Sequence, residues 1–220
     1  MSRGINNIGE GQTLRGNNVN VHQEIFENKN LEEYISRQLH NNWRNTYFKD
    51  YPRMDPKQKG HFGEEYVEGY MELRGSEVSS PTNPGHDRII DGFKTEIKFS
   101  LANSGRAKNG EKLIQPDTFT FNHIAAEKDW ERFIFFGINP NHDQPNQIIT
   151  EKNRTETPPL VRAYFMEKED FREYIQLADR QPFRKQQGGE KGYNDDYIVP
   201  GLVKFYQLID LPFVKEISEW

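Results

Sequence analysis

The chain has 220 residues, no cysteine, a formal net charge of −5 and 34% hydrophobic residues. The absence of cysteine excludes disulfides and thiolate zinc sites. No apolar run reaches the roughly 18 residues that a membrane-spanning helix needs, and the sequence does not open with a basic stretch followed by an apolar one. We therefore expect no membrane partner and a cytoplasmic location. The charge leaves a nucleic-acid partner open, because binding depends on where positive charge is concentrated.

Residues 1–28 are rich in asparagine and glycine and show little apolar periodicity, which predicts an extended or partly disordered arm. Residues 29–220 are predicted to form a single domain. Helices are predicted over 31–47 and 61–73, the second of them capped by Gly75. The apolar face of this second helix is predicted to hold Phe62, Tyr66, Tyr70 and Leu73.

After a loop over 79–85, the pattern changes to short apolar runs, which are typical of strands. We predict one mixed sheet with strands at 87–90, 93–100, 118–123, 132–138 and 161–166. A helix over 168–179, a polar loop and an apolar segment over 197–220 follow. A stripe in this last segment is interpreted as core or subunit contact, and it consists of Phe205, Leu208, Phe213 and Ile217. The expected fold class is α/β, with a central mixed sheet flanked by helices.

The dipeptide Asp91-Gly92 lies between two apolar, β-branched runs and predicts a type I′ turn, which needs positive φ at both positions. Antiparallel pairing across this turn places Asp87 directly opposite Glu96. Directly opposed Cβ atoms lie roughly 4.5 to 5.5 Å apart, so the two carboxylates repel each other unless a cation lies between them. The pairs nearer the turn are Arg88 with Thr95, Ile89 with Lys94, and Ile90 with Phe93.

Strand alternation gives the second arm of this hairpin a charged face and an apolar face. Lys98 and Ser100 lie on the charged face, with the two carboxylates. Oxygen ligands with open positions favour Mg²⁺ or Mn²⁺ over zinc. We predict that Asp87, Glu96 and Ile97 bind the metal ion, and that the site hydrolyses a phosphodiester. Lys98 would then orient the attacking water or accept its proton.

Asp87 followed by Glu96-Ile97-Lys98 resembles the signature of the PD-(D/E)XK nuclease superfamily, an Asp followed after a variable gap by Glu-X-Lys. His86 stands where that pattern has a proline. The resemblance implies a restriction-endonuclease-like fold and a Mg²⁺-dependent deoxyribonuclease that acts on double-stranded DNA, with Mn²⁺ as a substitute metal.

Residues 59–64, with the sequence Lys-Gly-His-Phe-Gly-Glu, look like the first helix of the archaeal Holliday-junction resolvases and related nucleases. In those proteins a helix glutamate at the position of Glu64 reaches toward the metal, often through water. The resemblance therefore implies that Glu64 is a fourth catalytic residue. Glu65 is an alternative for this role, and a first-turn carboxylate is also explained by the helix dipole.

The resemblance covers residues 59–100, and the large remainder favours added elements for sequence recognition. We therefore expect a type II restriction endonuclease that acts as a homodimer. The alternatives are a structure-selective nuclease, either a junction resolvase or a repair nickase, and a catalytically inactive DNA-binding module. Ser100 and two loops, 103–112 and 180–191, are predicted to contact DNA, although both loops could equally be solvated. The loop residues concerned are Arg106, Lys108, Lys112, Arg184, Lys185, Gln186 and Gln187.

Other acidic and histidine residues are further candidates for the same site. Asp91 competes with Asp87 for the metal, but turn chemistry alone explains an aspartate at that position. His61, His86 and His123 lack the ligand spacing of a histidine-metal nuclease, so we interpret them as scattered polar residues. His86, next to Asp87, remains a candidate phosphate contact.

Overall fold

The computed structural model describes residues 43–44, 46–106, 112–140, 158–185 and 196–220. All of these residues belong to one compact unit, Asn41–Trp220. The predicted arm, 1–28, lies outside the described residues, as does most of the predicted helix 31–47. Its described end lies in turns and a bend, so the helix does not extend to Tyr47.

Helix α1 (Pro56–Leu73) follows a short 3-10 helix, Tyr51–Arg53. It begins five residues earlier than predicted, because Asp55 and Gln58 form a capping box. Asp55 Oδ1 accepts a hydrogen bond from the Gln58 amide at 2.8 Å, and Gln58 Oε1 accepts one from the Asp55 amide at 3.0 Å. The helix ends at Leu73, and Gly75 follows with φ of 94°, as its predicted role as a cap requires.

The buried face of α1 differs from the predicted one. Leu73 is 91% exposed, and the buried positions are Gly63, Val67 and Met71. The aromatic residues predicted for this face flank the buried line and are only partly buried. None of the helices in the described ranges is long and apolar enough to cross a membrane.

The remaining elements match most of the predicted strands, and α2 ends five residues before its predicted end. In chain order they are β1 (Val78–Ser79), β2 (Arg88–Ile90), β3 (Phe93–Leu101), β4 (Ser104–Arg106), β5 (Lys112–Ile114), β6 (Thr120–Ala125), β7 (Arg132–Ile138), β8 (Val161–Glu167), α2 (Lys168–Tyr174), β9 (Arg184–Lys185), β10 (Asp196–Pro200), α3 (Gly201–Ile209), β11 (Lys215–Glu216) and a 3-10 helix, Ile217–Glu219.

The central sheet has the strand order β1-β2-β3-β7-β8-β11. It is mixed, as predicted, because β3 and β7 are parallel and every other neighbouring pair is antiparallel. The prediction that 118–123 belongs to this sheet is wrong: β6 forms a separate sheet with the order β6-β10-β9. The two predicted loops, 103–112 and 180–191, contain strands, since β4 pairs with β5, and β9 pairs with β10.

Each face of the central sheet is covered by different elements. On one face α1 packs closely on β3, because a Cβ at Gly63 would overlap the Cβ of Phe99. The other face carries Phe133 and Phe135, and it is covered by the three-stranded sheet together with α2 and α3. Ring contacts of 4.9 to 6.0 Å make this second layer: Phe121 with Phe135, Trp130 with Phe171, and Phe119 with Phe205.

The apolar stripe predicted near residues 205–217 is core. Phe205, Leu208 and Ile217 are buried within the chain itself, and Phe213 packs against the same cluster while partly exposed. These side chains are therefore accounted for without a subunit contact.

The β2–β3 hairpin has the predicted turn, but its ladder ends at the Arg88–Thr95 pair, so the predicted direct pairing of Asp87 with Glu96 is not part of it. Asp91 and Gly92 have φ of 50° and 84°, as a type I′ turn requires. The three pairs predicted nearest the turn are all present. The Asp91 carboxylate accepts hydrogen bonds from the amide of Glu77 and from Nε1 of Trp220, both at 2.8 Å. Asp91 is therefore used by the turn and its surroundings.

Candidate active site

Asp87 lies directly before β2, at the open end of the hairpin. Its amide donates to the carbonyl of Thr95 at 2.9 Å, and its Oδ2 accepts a hydrogen bond from the Ile97 amide at 2.7 Å. In a regular ladder of this register, the Ile97 amide would donate to the carbonyl of residue 86. The Asp87 carboxylate takes the place of that carbonyl. It is therefore fixed against the backbone of β3 at Ile97, the residue that follows Glu96.

The carboxylate of Glu96 is buried in the centre of the sheet, with 0% of its side chain exposed. Its Oε1 accepts hydrogen bonds from Lys98 Nζ at 2.7 Å and from Lys128 Nζ at 2.6 Å. Its Oε2 is also buried, and no residue in the described part of the chain donates a hydrogen bond to it. A buried acceptor without a donor costs about 1–3 kcal/mol. Glu96 therefore has an oxygen available for a cationic ligand.

The buried Glu96 carboxylate affects the ionisation of Asp87. Burial raises the pKa of Asp87 above its usual range, and the negative charge of Glu96 raises it further. Lys98, the Ile97 amide and Lys128 partly offset this rise. A divalent cation between the carboxylates would remove the repulsion and favour the ionised form of Asp87.

Lys98 lies beside Glu96 on the same face of β3, with 23% of its side chain exposed. Its ammonium nitrogen lies 6.0 Å from the ring centroid of Phe133, the β7 residue that pairs with Glu96. The ammonium group thus contacts an aromatic ring and a carboxylate, and the side chain that carries it is partly accessible to solvent.

Glu64 reaches the site from α1 but is held by Arg88. The guanidinium of Arg88 contacts Glu64 at 3.4 Å, Glu65 at 2.6 Å and Glu68 at 2.5 Å. Burial and the charge of Asp87 raise the pKa of Glu64, while Arg88, His61 and Lys98 lower it. Because Glu64 lies close enough to Asp87 and Lys98 for these effects, it fits the predicted helix carboxylate better than the more exposed Glu65 does.

The donor set of the site fits a hard divalent cation. Asp87 and Glu96 supply carboxylate oxygens, and the apolar Ile97 could contribute only its carbonyl oxygen. Within the described ranges, no group of three or more His, Cys, Asp or Glu side chains is arranged to hold a metal ion. A metal ion bound here would take its other ligands from the backbone, from water or from a substrate, which is typical of Mg²⁺.

No protein-family model matches the chain, and no curated protein matches it.

Lys128 and Arg88 are the site residues that sequence reasoning missed. For Arg88 the sequence contained a signal: its pairing with Thr95 places a charged residue on the apolar face of the hairpin. Helix α1, which carries acidic residues, covers that face. Lys128 had no such signal, since it lies in the 126–131 segment between β6 and β7 and reaches Glu96 only through the parallel pairing of β3 with β7. Burial works to lower the pKa of Lys128, but the charge and hydrogen bond of Glu96 outweigh it and raise that pKa.

The three histidines are not grouped at the site. His86 is buried, and its Nε2 accepts a hydrogen bond from the Thr82 amide at 3.3 Å. Its Nδ1 must then carry the proton and donates to the carbonyl of Asp129 at 3.1 Å. Both nitrogens are occupied, so His86 does not present a donor to a phosphate. His61 lies beside Glu64 on α1, and His123 lies beside Asp196 at the edge of the three-stranded sheet.

The residues predicted to contact DNA are not equally accessible. Ser100 is buried, and its Oγ donates to the carbonyl of Leu101 and accepts from the amide of Thr120. Arg184 and Lys185 are exposed on β9, and Lys112 is exposed on β5. Arg106 pairs with Lys112 through the backbone. Lys108, Gln186 and Gln187 lie outside the described residues.

Proposed function

We propose that this chain is a Mg²⁺-dependent DNA endonuclease of the PD-(D/E)XK superfamily, and more narrowly a type II restriction endonuclease. One observation carries the proposal. The Glu96 carboxylate is buried and its Oε1 accepts a hydrogen bond from Lys98, while its Oε2 has no donor among the described residues; Asp87 is bonded to the next backbone amide, that of Ile97. A fully buried glutamate next to a partly buried aspartate is poorly explained as a structural feature, because apolar side chains of similar size would be more stable there.

The residues divide the catalytic work as follows. Asp87 and Glu96 would hold the metal ion, with the Ile97 carbonyl as a further ligand. The metal ion supplies Lewis-acid stabilisation of the phosphate and a water molecule that ionises near neutral pH. Lys98, whose side chain is partly exposed, would orient the attacking water through its ammonium group. Glu64, which pairs with Arg88, is close enough to Asp87 and Lys98 to feel their charges and would accept a hydrogen bond from a metal-bound water on the helix side.

The fold is compatible with this family. Helix α1 packs on a mixed sheet whose antiparallel hairpin carries Asp87 and Glu96, and β7 lies parallel to β3. The structure beyond this core favours sequence recognition. The β4–β5 pair and the three-stranded sheet add exposed basic residues, among them Lys112, Arg184 and Lys185. A homodimer would place one site on each strand of a palindromic sequence.

Digestion of a long plasmid and of a synthetic four-way junction tests the proposal. With Mg²⁺, a restriction endonuclease gives discrete plasmid bands, and sequencing of the ends shows one common sequence. Cleavage of the junction alone would instead support the structure-selective nuclease. The Glu96→Gln variant should be inactive, while Glu219→Gln, on the exposed 3-10 helix, should cleave like the wild type. No cleavage of any substrate with Mg²⁺ or Mn²⁺ would overturn the proposal.

A further inference from the structure

Lys128 shares one carboxylate oxygen with Lys98, although it comes from a different part of the chain. Lys98 is two residues from Glu96 on β3, whereas Lys128 reaches the same oxygen from the 126–131 segment. The Lys128 side chain is 39% exposed, compared with 23% for Lys98. Lys128 therefore combines a contact at the buried end of the site with access to solvent.

The segment that carries Lys128 is held on both sides. The indole Nε1 of Trp130 donates to the carbonyl of Ala125 at 2.7 Å, and Asp129 accepts hydrogen bonds from Lys94 and Asn83, each at 2.8 Å. Lys168 donates to the carbonyl of Lys128 itself. The backbone of Lys128 is thus fixed without its ammonium group, and this group can exchange partners while the segment stays in place.

The charges of the site change when metal and DNA bind. Asp87 and Glu96 carry two negative charges, and Lys98 and Lys128 carry two positive ones. A divalent ion on the carboxylates adds two positive charges and competes with Lys128 for Glu96. A phosphodiester attacked by hydroxide adds two negative charges in the transition state. The sum returns to zero only if both ammonium groups remain in the site.

We propose that Lys128 is the second cationic residue of this site, which neutralises Glu96 before a divalent metal ion binds and then binds the scissile phosphodiester of the DNA. This proposal rests on the proposed nuclease function. It assigns Lys128 a role that the Asp and Glu-X-Lys motif does not contain. Lys98 remains the residue that acts on water.

The test compares Lys128→Met, which removes the charge, with Lys128→Arg, which keeps it. Lys215→Met is the matched control, because Lys215 is exposed on β11 at the far edge of the central sheet. The first measurement is calorimetric binding of Mn²⁺ without DNA. A charge-assisted hydrogen bond contributes about 1.5–3 kcal/mol, so its removal should let Lys128→Met bind Mn²⁺ about tenfold or more tightly. The control should bind Mn²⁺ like the wild type.

The second measurement is the cleavage rate on DNA that the wild type cleaves. Loss of one donor to the reacting phosphate costs about 10²–10³ in rate, so Lys128→Met should lose about that factor. Lys128→Arg should lose less, since it keeps the charge. The proposal requires both tighter Mn²⁺ binding and slower cleavage in Lys128→Met, and the absence of either change overturns it.

A parallel titration of Glu96→Gln separates this proposal from the proposed function. If the wild type binds no Mn²⁺, or if Glu96→Gln binds Mn²⁺ as well as the wild type does, Glu96 is not a metal ligand. Both proposals then fail. If the wild type binds Mn²⁺ through Glu96 and cleaves DNA, while Lys128→Met behaves like the wild type, only the role of Lys128 is wrong.

Discussion

The carboxylate of Asp91 accepts a hydrogen bond of 2.8 Å from the indole nitrogen of Trp220. This contact ties the hairpin turn to the segment that follows β11, 129 residues away in the chain. Arg132 lies against the same indole, with its guanidinium carbon 4.4 Å from the ring centroid and 3.6 Å from that of Phe93. The turn that positions Asp87 relative to Glu96 is therefore stabilised by a residue outside the hairpin, Trp220.

Asp91→Asn should destabilise the protein by about 1 kcal/mol at pH 7, because asparagine keeps the turn but cannot accept both hydrogen bonds. Burial acts to raise the pKa of Asp91, but the hydrogen bonds from Glu77, Ser76 and Trp220 lower it below the usual value. A lowered folded-state pKa means that this stability is present above the unfolded pKa of about 3.9 and is lost as the pH falls through the folded pKa.

Urea unfolding at several pH values checks this expectation. The difference between wild type and Asp91→Asn should be full at pH 7 and should shrink below about pH 4. Trp220→Phe should remove one hydrogen bond, and it should cost less stability in the Asp91→Asn background than in the wild type. A difference that stays constant down to pH 2 would show that the charge of Asp91 is not involved.

Gly63→Ala should destabilise the protein by about 1–3 kcal/mol, because the added methyl group overlaps Phe99 and pushes α1 away from β3. Gly69→Ala is the matched control on the same helix, since nothing lies within 4 Å of a Cβ at that position. This control should stabilise the protein by up to about 1 kcal/mol through helix propensity. Thermal unfolding measures both, and equal effects would contradict the close packing of α1 on β3.

Arg88→Met should destabilise the protein by about 2 kcal/mol, because it leaves Glu64, Glu65 and Glu68 without their shared cation. Arg53→Met is a suitable control, since Arg53 pairs with Asp50 on the exposed surface and should change stability by less than about 0.5 kcal/mol. Chemical unfolding compares the two variants. If Arg88→Met is no worse than the control, the glutamates do not depend on Arg88.

Asp87→Asn should abolish cleavage and yet raise stability when EDTA removes metal ions. The pKa of Asp87 is raised by burial and by Glu96, so its ionised form is unfavourable in the metal-free fold. Wild-type stability should therefore increase as the pH falls through this raised pKa, and the variant should lack that increase. Melting curves in EDTA give the comparison, with Asp179→Asn as an exposed control. A variant less stable than the wild type at pH 7 would contradict this account.

Asp87→Ala and Glu96→Ala should abolish cleavage while largely keeping the fold and the affinity for DNA in Ca²⁺, because each removes a proposed metal ligand together with no more than its own hydrogen bonds to Ile97 or to the two lysines. Gel-shift assays and circular dichroism measure affinity and fold beside the cleavage assay. Full cleavage by either variant would overturn the assignment of the metal ligands.

Local chemistry was sufficient to predict the hairpin and its register. Asp91-Gly92 fixes the turn through its backbone preference, and the alternation of β3 then determines which residues lie on which face. The beginning of α1 was also encoded locally, in the Asp55 and Gln58 capping box, but this signal was overlooked. The type and approximate position of most strands followed from apolar patterning in the same way.

Partners distant in sequence could not be predicted. The pattern of β6 indicates a strand, but not that it pairs with β10 across a long stretch of chain instead of joining the central sheet. Lys128 reaches Glu96 only because β3 and β7 are parallel neighbours, and the position of the 126–131 segment depends on that arrangement. Local patterning contains no information on either pairing.

The 126–131 segment joins the two sheets, since it leaves β6 in one and enters β7 in the other. Its hydrogen bonds reach both sheets: Asp129 accepts from Lys94 on β3, and the Trp130 indole donates to the carbonyl of Ala125 at the end of β6. Six residues of backbone therefore anchor Lys128 to two sheets at once, so its distance from Glu96 depends on how these two sheets pack together.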